Sequence, residues 1–331
     1  MTSPVAPPPM TYRALGSSGL QVSQIGLGCS GFWGNRRFPE AEAERIVRRA
    51  LERGVTLFDT GHNYAAFNAE PRLGRILQRA FATHPRDGLV ISSKAGTLTG
   101  QAGISGAEQR DFSPAAIERS CAASLRNLHC DHLDIFQLHG IGLEQISDEL
   151  LTALERMRRS GMFRLLGINT HTGAVMQHLA ERRGPFDVAL IDYNALQQDR
   201  EPVIAAMHAA GIGVLAGTVL AQGHLLPARP RVPRLADAWY LARAWLKPSS
   251  RALMRSAKAM QRTIARVGSQ APAQTAFAYV LQNPAVASGV LGTTRVASLD
   301  QVLDTRVDML APQERERLVA TFQQTGASPS Q

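Results

Sequence analysis

The chain has 331 residues, 44% of them hydrophobic and 19% charged, a composition that excludes disordered and fibrous classes and leaves room for one large barrel of about 250 residues or for two ordinary domains. Its formal net charge of +9 is spread without a lysine–arginine block, which argues against a nucleic-acid tail and predicts a basic surface compatible with anionic small molecules. Cys29, Cys121 and Cys130 form no metal-ligand spacing with the nine histidines, so no metal is expected. The first ten residues lack the basic and apolar regions of a signal peptide, and no apolar run reaches spanning length; the expectation is a cytoplasmic protein with no membrane partner.

In chain order, residues 1–10 read as a proline-rich flexible tail. Tyr12-Arg13-Ala14-Leu15 and Leu20-Gln21-Val22-Ser23 flank Gly16-Ser17-Ser18-Gly19, the pattern of a β-hairpin. Ile25-Gly26-Leu27-Gly28 predicts a strand, followed by a loop with Phe32 and Trp33. Pro39 then opens a helix whose apolar face is Ile46, Val47, Ala50 and Leu51, with Glu40 and Glu42 near its positive end. This strand–loop–helix unit recurs. Strands are predicted at 55–58, 89–92, 133–138, 163–168, 188–191, 213–216 and 288–291, and helices at 69–81, from Ser113-Pro114, at 148–160, 251–267, 272–282 and 311–323.

Strands separated by long crossovers are parallel, and eight such units close naturally into a (β/α)8 TIM barrel. The expected organisation is a single barrel domain over 11–323, capped by the N-terminal hairpin, with extra helices after strand seven and at the C-terminus and a flexible tail at 324–331. Residues 217–270 read as an insertion contributing a lid and a helix, with Trp239, Tyr240 and Trp245 packing against the barrel.

Catalytic groups in such a barrel come from the carboxyl ends of the strands. Strand two ends in Asp59, strand three in Lys94 and strand four in His139, with Tyr64 on the loop after strand two. Only three of the 36 basic residues are lysine, so a lysine in an apolar strand stands out. Neighbouring strands lie about 4.8 Å apart, close enough for the four groups to converge. An ammonium beside a phenol stabilises the phenolate and is expected to lower the tyrosine pKa. A carboxylate would keep that ammonium charged, and an imidazole can hydrogen-bond a substrate oxygen. The set contains no good nucleophile; polarising and protonating a carbonyl as hydride arrives is the reaction that matches.

With these residues the chain resembles the aldo-keto reductase family of NAD(P)H-dependent barrel oxidoreductases. The likeness runs from Tyr12 to about Asp304 through Gly26-Leu27-Gly28, Phe58-Asp59-Thr60, Glu70-Pro71-Arg72-Leu73-Gly74, Ser93-Lys94, Asp134-Ile135-Phe136-Gln137-Leu138-His139, Leu166-Gly167-Ile168-Asn169, Asp192-Tyr193-Asn194, Leu220-Ala221-Gln222-Gly223 and Leu291-Gly292-Thr293-Thr294. The resemblance implies Tyr64 as general acid, Lys94 and Asp59 as its tuning pair, and His139 as the residue orienting a small-molecule carbonyl substrate. It places the cofactor against Gly28, Cys29, Ser30 and Asp59, then Asn169, Thr170 and Leu190, then Gly217, Thr218, Val219, Leu220, Gln222 and Gly223, and finally Gly292, Thr293, Thr294, Arg295, Ser298 and Gln301.

Several of those positions depart from the family pattern. Asn169-Thr170 stands for a serine–asparagine pair, Leu190 for a glutamine, Gly217 for an aromatic ring stacked on the nicotinamide, and Gln301-Val302 for a glutamate–asparagine pair. Losing a stacked ring costs cofactor binding on the order of 1 kcal/mol. Arg295 at a helix start favours NADP, with NAD as the second candidate. Trp33, Asn63 and the glycine-rich loop 95–110 are candidates for the substrate wall, alongside His139. Two alternatives stay open from sequence: a cofactor-binding regulatory subunit without turnover, and a redox-neutral dehydratase or isomerase. A monomer or small homo-oligomer fits either case.

Overall fold

Tyr12–Ala14 (β1) and Gln21–Ser23 (β2) pair antiparallel, in a computed structural model that describes residues 8–30, 33–99, 109–226, 248–267 and 270–325. The turn joining them is wedged against the barrel: a Cβ on Gly16, whose φ is +57°, would stand 2.4 Å from the Gly211 carbonyl oxygen, so only glycine fits. Arg13 fastens the hairpin to the rest of the chain, donating at 2.7 Å to the carbonyls of Leu281 and Val286.

Ile25–Gly28 (β3), Leu57–Asp59 (β4) and Val90–Ala95 (β5) open the barrel, and a small antiparallel pair follows, Thr97–Thr99 (β6) with Gln109–Arg110 (β7). Leu133–His139 (β8), Phe163–Thr170 (β9), Val188–Asp192 (β10), Gly213–Gly217 (β11) and Val286–Gly292 (β12) complete it. The eight parallel strands close in the order β3-β4-β5-β8-β9-β10-β11-β12, the (β/α)8 architecture read from the sequence. Ten helices are described around it: Glu40–Glu52 (α1), Ala69–Ala80 (α2), Pro114–Leu128 (α3), Asp148–Arg159 (α4), Gly173–Glu181 (α5), Glu201–Ala209 (α6), Pro248–Ile264 (α7), Pro272–Leu281 (α8), Val296–Leu303 (α9) and Pro312–Thr325 (α10). None of these helices is long and apolar enough to cross a membrane.

Two differences from the sequence reading bear on the site. Most strands run one to three residues past the predicted ends, because ladder hydrogen bonding continues where the hydrophobic pattern has stopped. The loop 95–110, expected to be irregular, begins and ends in the β6–β7 pair. Phe32, residues 100–108, the lid assigned to 217–270 over 227–247 with Trp239, Tyr240 and Trp245, and tail residues 1–7 and 326–331 lie outside the described residues.

The barrel interior is layered. Leu57, Val90, Ile135, Leu165, Val188, Leu190 and Leu215 form an apolar cluster, with Leu15 and Val22 of the hairpin packed against it. Each such side chain contributes about 1.5–3 kcal/mol on burial. A second, larger cluster lies between the strands and the helices. The Glu70 to Gly74 motif is explained here. Fully buried Glu70 accepts from Ser93 at 2.6 Å and Asn127 at 3.0 Å, and a Cβ on Gly74 would collide with the Asn127 carbonyl at 2.0 Å, so the motif locks α2 onto β5 and α3.

Candidate active site

Alternation along the strands sets which residues meet. Neighbouring residues face opposite sides of a sheet, so Asp59 on β4, Ser92 and Lys94 on β5, and Gln137 and His139 on β8 all project into the upper barrel. Lys94 is only 1% exposed, and its Nζ donates to Asp59 Oδ2 at 2.5 Å and to the Thr60 carbonyl at 2.6 Å. The other carboxylate oxygen of Asp59 accepts from Ser92 Oγ at 2.9 Å and Gln137 Nε2 at 3.1 Å, while Gln137 also donates to Ser92 Oγ at 2.7 Å. Ser92 and Gln137 are absent from the predicted site. A period-two count from Lys94 and His139 is the signal that finds them.

Burial alone would discharge Lys94, but the Asp59 carboxylate and Tyr64 outweigh it and hold the ammonium pKa above the ordinary lysine value. A buried pair of this kind depends on both partners, since either charge left alone carries a large desolvation cost.

Tyr64 is brought over this pair by a loop stitched to β5 through His62 N–H to the Lys94 carbonyl at 2.9 Å. The next three residues, Ala65, Ala66 and Phe67, all adopt left-handed φ of 53°, 52° and 66°. Such backbone costs about 1–3 kcal/mol per residue and concentrates at functional sites. Lys94 Nζ lies 5.1 Å from the Tyr64 ring centroid. The expected lowering of the tyrosine pKa is not what results. Burial raises it, Lys94 opposes that, and Asp59 and Asp192 add to it, leaving the phenol above its ordinary value. One ammonium does not offset desolvation together with two carboxylates.

His139 packs edge-on against Tyr64, ring centroids 5.7 Å apart at 87°, and its buried Nδ1 has no hydrogen-bond partner among the described residues. Burial first, then Lys94, His171 and Arg110, push its pKa down to about 3, so the ring is neutral at physiological pH. The unfolded imidazole takes its proton near 6.5. Above that value both states are neutral and His139 has no pH effect. Below it the unfolded state binds the proton, and stability falls by about 1.4 kcal/mol per pH unit until the folded pKa is reached. Urea titrations between neutral and mildly acid pH are expected to show this slope in the wild type and a shallower one in His139→Gln; equal slopes would contradict a buried neutral imidazole.

The predicted cofactor positions divide into two groups. Gly28, Gly217 and Gly292 occupy inward positions at the tops of β3, β11 and β12, and a Cβ on Gly292 would meet nothing closer than 3.9 Å. The rim is therefore open at Gly292, while Val290 Cγ1 stands 2.9 Å from a Cβ placed on Gly28 and the Ile191 carbonyl oxygen 3.4 Å from one placed on Gly217. Asn169 faces inward in register with His139 and donates to the Leu190 carbonyl at 3.1 Å. Leu190 is inward too, but 5% exposed and packed in the apolar layer, so its side chain offers only a floor. Thr294, Arg295 and Gln301 are exposed at the start and along one face of α9, with Ser298 half-buried between them. Thr293 Oγ1 is engaged in its own turn, accepting from Arg295 N–H at 3.2 Å.

Others are turned away. Cys29 is fully buried in the outer core, where burial pushes its thiol well up, so only its backbone borders the rim. Thr170 bonds locally to Thr172 at 3.2 Å, and Val219 packs against the outer core. Thr218 donates to Asp192 Oδ1 at 3.0 Å. Ser30 and Leu220 are half-buried, and Gln222 and Gly223 are exposed on a short turn. Of the substrate candidates, Asn63 is 8% exposed, and its Oδ1 has no partner among the described residues. Trp33 is 1% exposed, its Nε1 likewise has no partner among the described residues, and it packs at 5.7 Å on Phe38, which makes it a core residue.

Asp192, quoted above only as part of a motif, is the third site residue missed, after Ser92 and Gln137. It ends β10 facing inward, with Oδ2 bonded to His171 Nδ1 at 2.6 Å.

Residues 24–320 match the Aldo/keto reductase family. The chain is 28% identical over 298 residues to L-galactose dehydrogenase of Arabidopsis thaliana, covering 87% of this chain and 86% of that protein. It is 28% identical over 307 residues to L-glyceraldehyde 3-phosphate reductase of Escherichia coli K12, covering 88% and 86%. Its fold is similar to that of an aldo-keto reductase from Bacillus halodurans in the holo form, with a TM-score of 0.73 and 23% identity over 94% of this chain and 96% of that one.

Proposed function

The chain belongs to the aldo/keto reductase family, and on that premise we propose that it interconverts an aldehyde or ketone with its alcohol using a nicotinamide cofactor, with Tyr64 as the proton donor and acceptor. The observation that carries this reading is the convergence of Tyr64, His139 and the buried Lys94–Asp59 pair at one end of the barrel.

A nicotinamide dinucleotide fits the residues present. Open space at Gly292 and the absence of a side chain on Gly217 leave room for a flat ring at the rim, Asn169 supplies polar contact, and Thr294, Arg295, Ser298 and Gln301 lie together where phosphate would be met. Arg295 favours NADP over NAD. When bound, the reduced cofactor supplies a hydride to the carbonyl carbon.

Tyr64 donates its phenolic proton to the carbonyl oxygen as that oxygen gains charge. Neutral His139 donates an N–H to the same oxygen and orients it. Lys94, held charged by Asp59, stabilises the phenolate that proton donation leaves behind. Ser92 and Gln137 fix the Asp59 carboxylate so that its second oxygen stays on Lys94.

The names of the relatives direct the choice of substrates toward hydroxylated carbonyls, so the test panel contains aldoses and a triose phosphate beside simple aldehydes and ketones. Mixed with NADPH or NADH and a productive member of this panel, the protein is expected to consume the absorbance of the reduced cofactor and yield a product two hydrogens heavier. Tight nucleotide binding with no turnover across the panel would replace this reading with a regulatory module. A product lighter by one water, with the cofactor unchanged, would replace it with a redox-neutral lyase.

A further inference from the structure

Resting on the oxidoreductase reading above, we propose that the Asp192 carboxylate makes this site prefer the oxidised, cationic nicotinamide, which lowers the potential of the bound cofactor and favours carbonyl reduction on the protein.

The argument begins at Gly217. It is paired in register with Asp192, and a Cβ placed on it would have Leu190 Cδ1 at 3.5 Å and Asp192 Oδ1 at 3.8 Å as neighbours. The space left by the missing side chain is thus walled by a leucine below and a carboxylate beside it. A ring that exchanges hydride with a carbon whose oxygen lies at Tyr64 and His139 must occupy the open part of the rim, and Gly217 and Gly292 mark that part. Asp192 borders it.

The carboxylate is held in place from several sides. His171, from the turn after β9, bonds Oδ2, Thr218 bonds Oδ1, and Arg200 donates to the Asp192 backbone carbonyl at 2.6 Å. Its strand, β10, stands opposite β4 in the barrel order, and Asp192 is one of the groups that raise the proton affinity of the Tyr64 phenol.

The charge difference supplies the preference. An oxidised nicotinamide carries a formal positive charge that the reduced ring lacks, so a fixed carboxylate at its edge binds the oxidised form selectively. Selective binding of the oxidised form lowers the potential of the bound couple by the same free energy, so the reduced cofactor, when bound, would be the stronger hydride donor to a carbonyl whose oxygen takes its proton from Tyr64.

The experiment measures dissociation constants of NADP⁺ and NADPH, and in parallel NAD⁺ and NADH, by calorimetry on the full chain without substrate. Asp192→Asn is expected to lower the ratio Kd(NADPH)/Kd(NADP⁺) by about tenfold, which is about 30 mV for a two-electron couple. A ratio within about twofold of wild type overturns the proposal, as does equal weakening of both forms, which would indicate a neutral hydrogen bond to the cofactor. His171→Gln keeps the carboxylate but removes its imidazole partner, so its ratio is expected to equal or exceed that of wild type; a fall overturns the proposal even where Asp192→Asn does not fold. If wild type binds neither nucleotide pair, the oxidoreductase reading itself fails and this inference with it.

Discussion

Tyr64→Phe is expected to lower kcat by about 10³-fold with a productive carbonyl while leaving the cofactor Kd within about twofold of wild type. The substitution removes one oxygen and retains the ring that packs edge-on against His139. Lys94 keeps its bonds to Asp59 and to the Thr60 carbonyl, so the buried pair beneath the phenol stays intact. The loss therefore falls on proton delivery alone. Stopped-flow turnover with nucleotide titration separates the two terms, and turnover within tenfold of wild type would remove Tyr64 from the mechanism.

Lys94→Met is expected to lose both turnover and stability, by about 10²-fold or more in kcat and about 3–5 kcal/mol in unfolding free energy. The stability loss has a specific origin: Asp59, 5% exposed, would lose its ammonium partner and be left with Ser92 and Gln137 as its side-chain donors. Pairing the change with Asp59→Asn removes the carboxylate left without its ammonium. The double variant is therefore expected to regain most of the lost stability in urea unfolding while remaining inactive, because no ammonium is left to stabilise a phenolate. A double variant no more stable than Lys94→Met would mean that the cost lies in packing around the lysine stem.

Asp59, Lys94 and His139 are legible because each ends a strand, with Tyr64 on the loop that follows the first of them, and the ends of parallel strands share one face of a barrel. The cofactor positions are less so. The family resemblance placed Cys29, Thr170 and Val219 at the cofactor together with their sequence neighbours Gly28, Asn169 and Thr218. Successive residues of a strand face opposite sides, so Cys29 joins the outer core and Thr170 turns to Thr172; Val219, just past β11, also packs outward. The same alternation hides Ser92 and Gln137, whose polar side chains interrupt apolar runs without marking an end.

From its sequence alone this chain reveals the alternation of strand and helix, the closed parallel barrel that follows from it, and the acid, lysine, histidine and tyrosine at consecutive positions of one rim. These depend on local periodicity and on spacing along the chain. Tertiary structure alone decides which polar residues hold Asp59, that Asp192 on β10 acts on Tyr64, and that the tyrosine pKa rises where a single ammonium was expected to lower it. The reason is distance through space. Asp59 and Gln137 are 78 positions apart yet 3.1 Å from bond to bond, and the sign of a charge effect at Tyr64 is a sum over burial and neighbours that sequence separation does not encode.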